Sequence, residues 1–177
     1  MSREDANSRL PENSQFTEDE WKNIWLDIVT RLVEENMKVE IFTTGSPQDD
    51  DFARELFFSF DLRKREFISQ AVRPGGVKGL LGIMRGFKLV IATRLHASIL
   101  ANALGISSLG LAWDEKVQSY YDESIQPERC FNLEGLEPEK LVQVCRELNG
   151  RPFSQPVLSE LKDRARLNGQ VILNSEQ

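Results

Sequence analysis

The stretch from Lys88 to Lys116, KLVIATRLHASILANALGISSLGLAWDEK, carries the clearest structural signal in the chain. Leu89-Val90-Ile91-Ala92 is an unbroken apolar run, as expected of a strand covered on both faces. Residues 94–104 are small and apolar at helical length, and Gly105 follows in the usual C-cap place. Ile106 to Ala112 is a second buried-strand run. Strand, helix and strand in close succession imply a βαβ unit, whose strands must be parallel.

The same rhythm extends outward. Upstream, Thr17 and Glu20 form a capping box with Phe16 just before it. Trp21, Ile24, Trp25, Ile28, Val29, Leu32 and Val33 then recur at helical spacing, so one face is buried to about Glu35. KVEIFTT (38–44) reads as a strand ended by Gly45-Ser46-Pro47, and 48–59 as a helix with its acids in the first turn, where the helix dipole favours them. Residues 67–72 read as a short strand, Pro74-Gly75-Gly76 as a turn and 77–86 as a short helix. Downstream, Asp114 caps a helix over 114–122, 130–133 is a short edge strand, and 137–148 and 154–167 are amphipathic helices. The expectation is a Rossmann-like three-layer α/β/α domain over 16–168 with a mostly parallel sheet. Residues 1–15 read as a linker or the remnant of a preceding segment, and 169–177 as a frayed tail. Ligands of such folds gather beyond the carboxyl ends of the strands.

Composition narrows the function. The chain has 177 residues and a formal charge of −6, which excludes a generally basic nucleic-acid binder. No apolar run approaches a membrane helix, and the first residues lack the apolar core of a signal peptide. Cys130 and Cys145 are too few for a disulfide framework or a tetrahedral zinc site and read as free thiols. Charge is unevenly placed, however. From Phe67 to Trp113 there is no acid, while Arg73, Lys78, Arg85, Lys88 and Arg94 give +5, so the rest of the chain carries −11. An acid-free segment in an acidic protein is a local anion site or a buried core segment, where acids are scarce anyway.

Three features converge where the first strand ends. Free N–H groups at a helix start bind anions. Arg94 offers a planar fork for a carboxylate or phosphate, and His96, the only histidine, exchanges a proton near neutral pH. The next strand delivers Asp114, Glu115 and Lys116 to the same sheet edge. Trp113, Tyr120 and Tyr121 read equally well as a sugar-stacking surface or as packing. The glycines Gly75, Gly76 and Gly79 lack dinucleotide-fingerprint spacing, and nothing marks a nucleophilic elbow.

Arg94-Leu95-His96-Ala97, then Gly105-Ile106-Ser107, then Trp113-Asp114-Glu115-Lys116 resemble the polysaccharide pyruvyl transferase family over roughly residues 16–150. Ser107 stands where that family often has proline, and Trp113 where it often has tyrosine. The resemblance implies the C-terminal domain of a two-domain enzyme of the GT-B type, with its N-terminal domain missing. It implies transfer of a pyruvyl group from phosphoenolpyruvate to a sugar or lipid-linked glycan. Arg94, His96 and Lys116 would be catalytic, Thr93, Leu95, Trp113 and Asp114 would line the donor, and no metal or other cofactor is called for. A cytoplasmic location is expected, at the inner membrane face if the acceptor is lipid-linked. A GT-B glycosyltransferase using a nucleotide-sugar, or a non-catalytic fragment, is the alternative.

Overall fold

The structure, a computed structural model, describes residues 17–124 and 126–175, with side chains described through residue 166 apart from Glu18. The linker read over residues 1–15 lies outside the described residues. The first helix, α1 (Glu18–Glu34), starts on the expected capping box: the Glu20 N–H donates to Thr17 Oγ1 at 3.2 Å and the Thr17 N–H donates to Glu20 Oε2 at 2.8 Å. Strand β1 spans Val39–Ile41 and helix α2 Pro47–Ser59, with proline in the first turn where its missing N–H costs nothing. A short helix that the sequence reading lacked, α3 (Leu62–Arg65), is capped by Asp61 and leads into β2 (Ile68–Gln70).

Then come α4 (Val77–Met84), β3 (Leu89–Ala92), α5 (Leu95–Ala103), β4 (Ser107–Ala112) and α6 (Glu115–Glu123). Gly105 takes φ 77 at the end of α5, the left-handed conformation expected of that glycine. A 3-10 turn at Pro127–Arg129 leads to β5 (Cys130–Asn132), α7 (Pro138–Leu148) and α8 (Gln155–Ser175). Helix α8 continues past residue 167, where the sequence reading ended it.

All named strand pairings are parallel, as expected of βαβ units. β3, β4 and β5 form one sheet, with Ala92 opposite Gly110 and Ala112 opposite Asn132; β1 and β2 form another. Alternation along β4 sets the layers. Ser108 and Gly110 face α5 and α6, where a Cβ on Gly110 would lie 2.3 Å from Tyr121 Cε2. Leu109 and Leu111 point the other way, into a core with Trp21, Ile28 and Leu32 of α1 and Leu141 and Cys145 of α7. Val90 and Ala92 of β3 pack on Leu80 and Met84 of α4 and Ala97 and Ala101 of α5. The fold is therefore the expected three-layer Rossmann-like α/β/α arrangement.

One feature departs from a continuous sheet. No hydrogen bond joins β1 to β3 among the described residues; an apolar cleft of about 750 Å³ lies between them, walled by residues of both strands and of α1. Topology runs away from this cleft in both directions, to β2 on one side and to β4 and β5 on the other.

Candidate functional site

The site is built where β3 and β4 end. β3 leaves Ala92 into Thr93 and Arg94, and Arg94 occupies the N-cap position of α5 in an extended conformation. Thr93 is buried, and its carbonyl accepts the Trp113 Nε1–H at 2.7 Å. That bond crosses from the loop after β3 to the loop after β4 and makes the two loops immediate neighbours.

Arg94 does not stand alone on its loop. Its Nη2 donates to Asp49 Oδ2 at 3.0 Å and Oδ1 at 3.3 Å, and its Nε donates to Oδ2 at 3.2 Å. Asp49 is 1% exposed and the Arg94 side chain 29%. The carboxylate on α2 thus grips the guanidinium as a fork and fixes its plane, while part of the cation faces solvent at the mouth of the cleft. His96 lies two residues on, in the first turn of α5, and is exposed; Leu95 between them is half-buried.

The second loop is ordered by its own cap. Asp114 Oδ1 accepts the backbone N–H groups of Lys116 and Val117 at 3.1 Å each and opens α6. Lys116 is exposed on the first turn of that helix. Two helix starts, each with a positive dipole end, therefore open at one sheet edge beside Arg94, His96 and Lys116.

The tyrosines, open to either reading from sequence, are committed to packing. Tyr121 is fully buried, its hydroxyl between Ser108 Oγ at 2.8 Å and Ser98 Oγ at 3.0 Å. Ser108 Oγ also donates to Asn102 Oδ1, and Asn102 Nδ2 donates to Tyr120 Oη, both near 2.8–2.9 Å. Burial pushes the Tyr121 phenol well up and the Tyr120 phenol up. This network fastens α5 to β4 and α6 directly behind the Arg94 and Lys116 turns. Trp113 is 8% exposed and belongs to the main core, so its observed part is to hold loop to loop.

By sequence Asp49 is only a first-turn helix acid. Its burial and its partner 45 residues away are tertiary facts; the single sequence hint is that the strand end at Thr43–Thr44 leads straight into it. Among the described residues no group of three or more histidine, cysteine or acidic side chains could hold a metal ion.

Parallel strands joined by crossover helices define a Rossmann-like domain; folds of this kind meet their ligands at the carboxyl ends of the strands. The sequence profile of the polysaccharide pyruvyl transferase family matches residues 3–115, well over half of the 177, and the chain belongs to that family. The matched span contains Thr93, Arg94, Leu95, His96, Trp113 and Asp114 and closes one residue before Lys116. No curated protein and no solved structure matches the chain. The family is one of transferases in polysaccharide biosynthesis with a sugar or glycan acceptor. No described helix is long and apolar enough to cross a membrane.

Proposed function

We propose that this chain supplies the anion-binding domain of an enzyme that moves a pyruvyl group from phosphoenolpyruvate to a sugar of a cell-surface polysaccharide or its precursor. Two sugar hydroxyls add to the central carbon of the donor, its bond to the phosphate oxygen breaks, and a cyclic ketal results. Of the two hydroxyl protons, one goes to the methylene carbon, which becomes the methyl group, and one leaves with the phosphate.

The observation that carries this reading is the Asp49-held guanidinium of Arg94 beside exposed His96, on a loop bonded to the one that presents Lys116. Arg94 and the backbone at Leu95 hold the donor. His96 acts as general acid and base, delivering or removing the proton that changes place. Lys116 neutralises charge on the donor and on the released phosphate, and the cationic edge stabilises charge moving onto the leaving group. In the complete enzyme an N-terminal domain of the GT-B type closes over this edge and brings the acceptor.

Donor competition tests the proposal. Labelled phosphoenolpyruvate is expected to transfer and a nucleotide-sugar to be inert. Transfer from the nucleotide-sugar, with none from phosphoenolpyruvate, overturns it. The 177 residues alone are expected to bind the donor weakly and turn over little; robust ketal formation by them removes the need for a second domain.

A further inference from the structure

We infer that the outer face of α4, with the loop before it and the exposed side of α5, docks this protein on an anionic lipid surface. The inference concerns that surface and stands apart from the reaction proposed above.

Sequence and exposure set the face apart. From Ala71 to Ile99 the chain carries Arg73, Lys78, Arg85, Lys88 and Arg94 and no acid, although its net charge is −6. Arg73, Lys78, Arg85 and Lys88 are exposed. Arg73 Nε lies 3.2 Å from Asp50 Oδ2, whereas among the described residues no carboxylate pairs with Lys78, Arg85 or Lys88.

Helix geometry gathers these cations. Leu80 and Met84, one turn apart, are buried with Val90 and Ala92 of β3. That orientation turns Lys78, Gly82 and Arg85 outward, at the spacing of a single helix face, and all three are exposed. Lys88 follows just past the end of the helix. A Cβ on Gly82 would have no atom within 4 Å, so the face between Lys78 and Arg85 is shallow and open to a broad partner.

Aliphatic side chains share this face. Val72 is 85% exposed, Val77 65% and Ile99 39%. Val72 and Val77 flank Arg73 and Lys78 where the chain leaves β2 and enters α4. Ile99 lies on α5, whose Ala97 and Ala101 join the same cluster on β3 as Leu80 and Met84.

The two sets of side chains fit one partner. At a lipid surface aliphatic groups enter the boundary between headgroups and acyl chains, and Lys and Arg meet the phosphates. A nucleic acid would engage the cations and leave the three aliphatic side chains in water. Helices α4 and α5 start at Val77 and Leu95, each beyond the carboxyl end of a strand, so a lipid surface against them borders the candidate site.

Co-sedimentation with vesicles tests this directly. The 177-residue chain is expected to bind phosphatidylcholine vesicles containing phosphatidylglycerol at least about tenfold more tightly than phosphatidylcholine alone, and to lose that preference in high salt. Lys78→Glu/Arg85→Glu is expected to weaken binding to the mixed vesicles at least about tenfold. Val72→Ser/Val77→Ser is expected to weaken it by about as much. The melting temperature of both variants should match the parent, because all four side chains are exposed. Lys162→Glu/Arg166→Glu on α8 changes the net charge equally and should keep binding within about threefold. No binding to the mixed vesicles, or equal binding to both kinds, overturns the inference. An equal loss in the α8 variant also overturns it, since net charge alone then governs binding. So does a dimer that Val72→Ser/Val77→Ser dissolves, which gives the face to a second copy.

Discussion

The carboxylate of Asp49, buried on α2, holds the guanidinium of Arg94 at the start of α5, with Oδ2 and Nη2 3.0 Å apart. This contact joins the segments that leave β1 and β3 at their carboxyl ends, across the cleft that divides the sheet. It also explains how an arginine at the sheet edge keeps one orientation: the buried acid fixes the plane of the fork.

Removing the cation leaves a buried carboxylate without its guanidinium. Arg94→Ala is therefore expected to cost about 3 kcal/mol in urea denaturation, at the lower end for a broken buried pair because Arg94 is partly exposed. Arg94→Lys keeps the charge but not the fork, so it is expected to cost less stability while still weakening donor binding. Stability of Arg94→Ala within about 0.5 kcal/mol of the parent would show that the pair does not organise this edge.

Gly110 lies under the ring of Tyr121, and a Cβ there would come 2.3 Å from Cε2. Neither the backbone of β4 nor the ring, pinned by Ser98 and Ser108, yields readily. Gly110→Ala is expected to destabilise by about 2–3 kcal/mol, an overpacking cost. A midpoint equal to that of the parent would mean that the α6 face of the sheet is looser than described.

Tyr121→Phe keeps the ring and deletes the hydroxyl between Ser98 and Ser108. Leaving those buried hydroxyls short of a partner is expected to cost about 1–3 kcal/mol. Tyr120→Phe, at a less buried site whose hydroxyl serves Asn102, is expected to cost less. The reverse order in matched denaturation curves contradicts the assignment of Tyr121 as the centre of the network.

Much of this architecture was legible in the sequence because local signals agreed with the global fold. β3 occupies Leu89–Ala92 as its apolar run indicated, and Thr17, Gly105 and Asp114 perform the capping that their types suggest. Boundaries failed where partners rather than propensity set them. β1 stops at Ile41, short of the expected Thr44, because its partner β2 is only three residues long. Asp49 could not be found locally, since an acid three residues into a helix is ordinary and only the tertiary fold buries it against Arg94. The division of the sheet was equally invisible: each strand reads as buried, and sequence does not say which edges meet.

Both cysteines are free, and burial pushes each thiol up to about 12, with the Asp122 charge adding to the effect at Cys130. The native protein therefore keeps these protons to higher pH than the unfolded chain, whose thiols titrate near pH ~8.5. Their contribution to stability is complete below that value and is lost as pH rises toward 12. Denaturation curves from pH 7 to 10 should show stability falling above about pH 8.5, and less so in Cys130→Ser/Cys145→Ala. An unchanged fall in that variant would assign it to other groups.

His96 is exposed on the first turn of α5, so His96→Ala should leave the denaturation midpoint unchanged and abolish pyruvyl transfer in the complete enzyme. Normal ketal yield in that variant would remove His96 from the mechanism.

The central claim, that the loops after β3 and β4 close on a single small anion, is tested most directly by an NMR titration of the chain with phosphoenolpyruvate into the high millimolar range. The amides of Thr93 to His96, those of Asp114 to Lys116 and the Trp113 indole N–H should shift together along one binding curve, and Arg94→Lys should weaken that curve at every one of them. Shifts confined to one loop, shifts centred elsewhere, or none at all would contradict it.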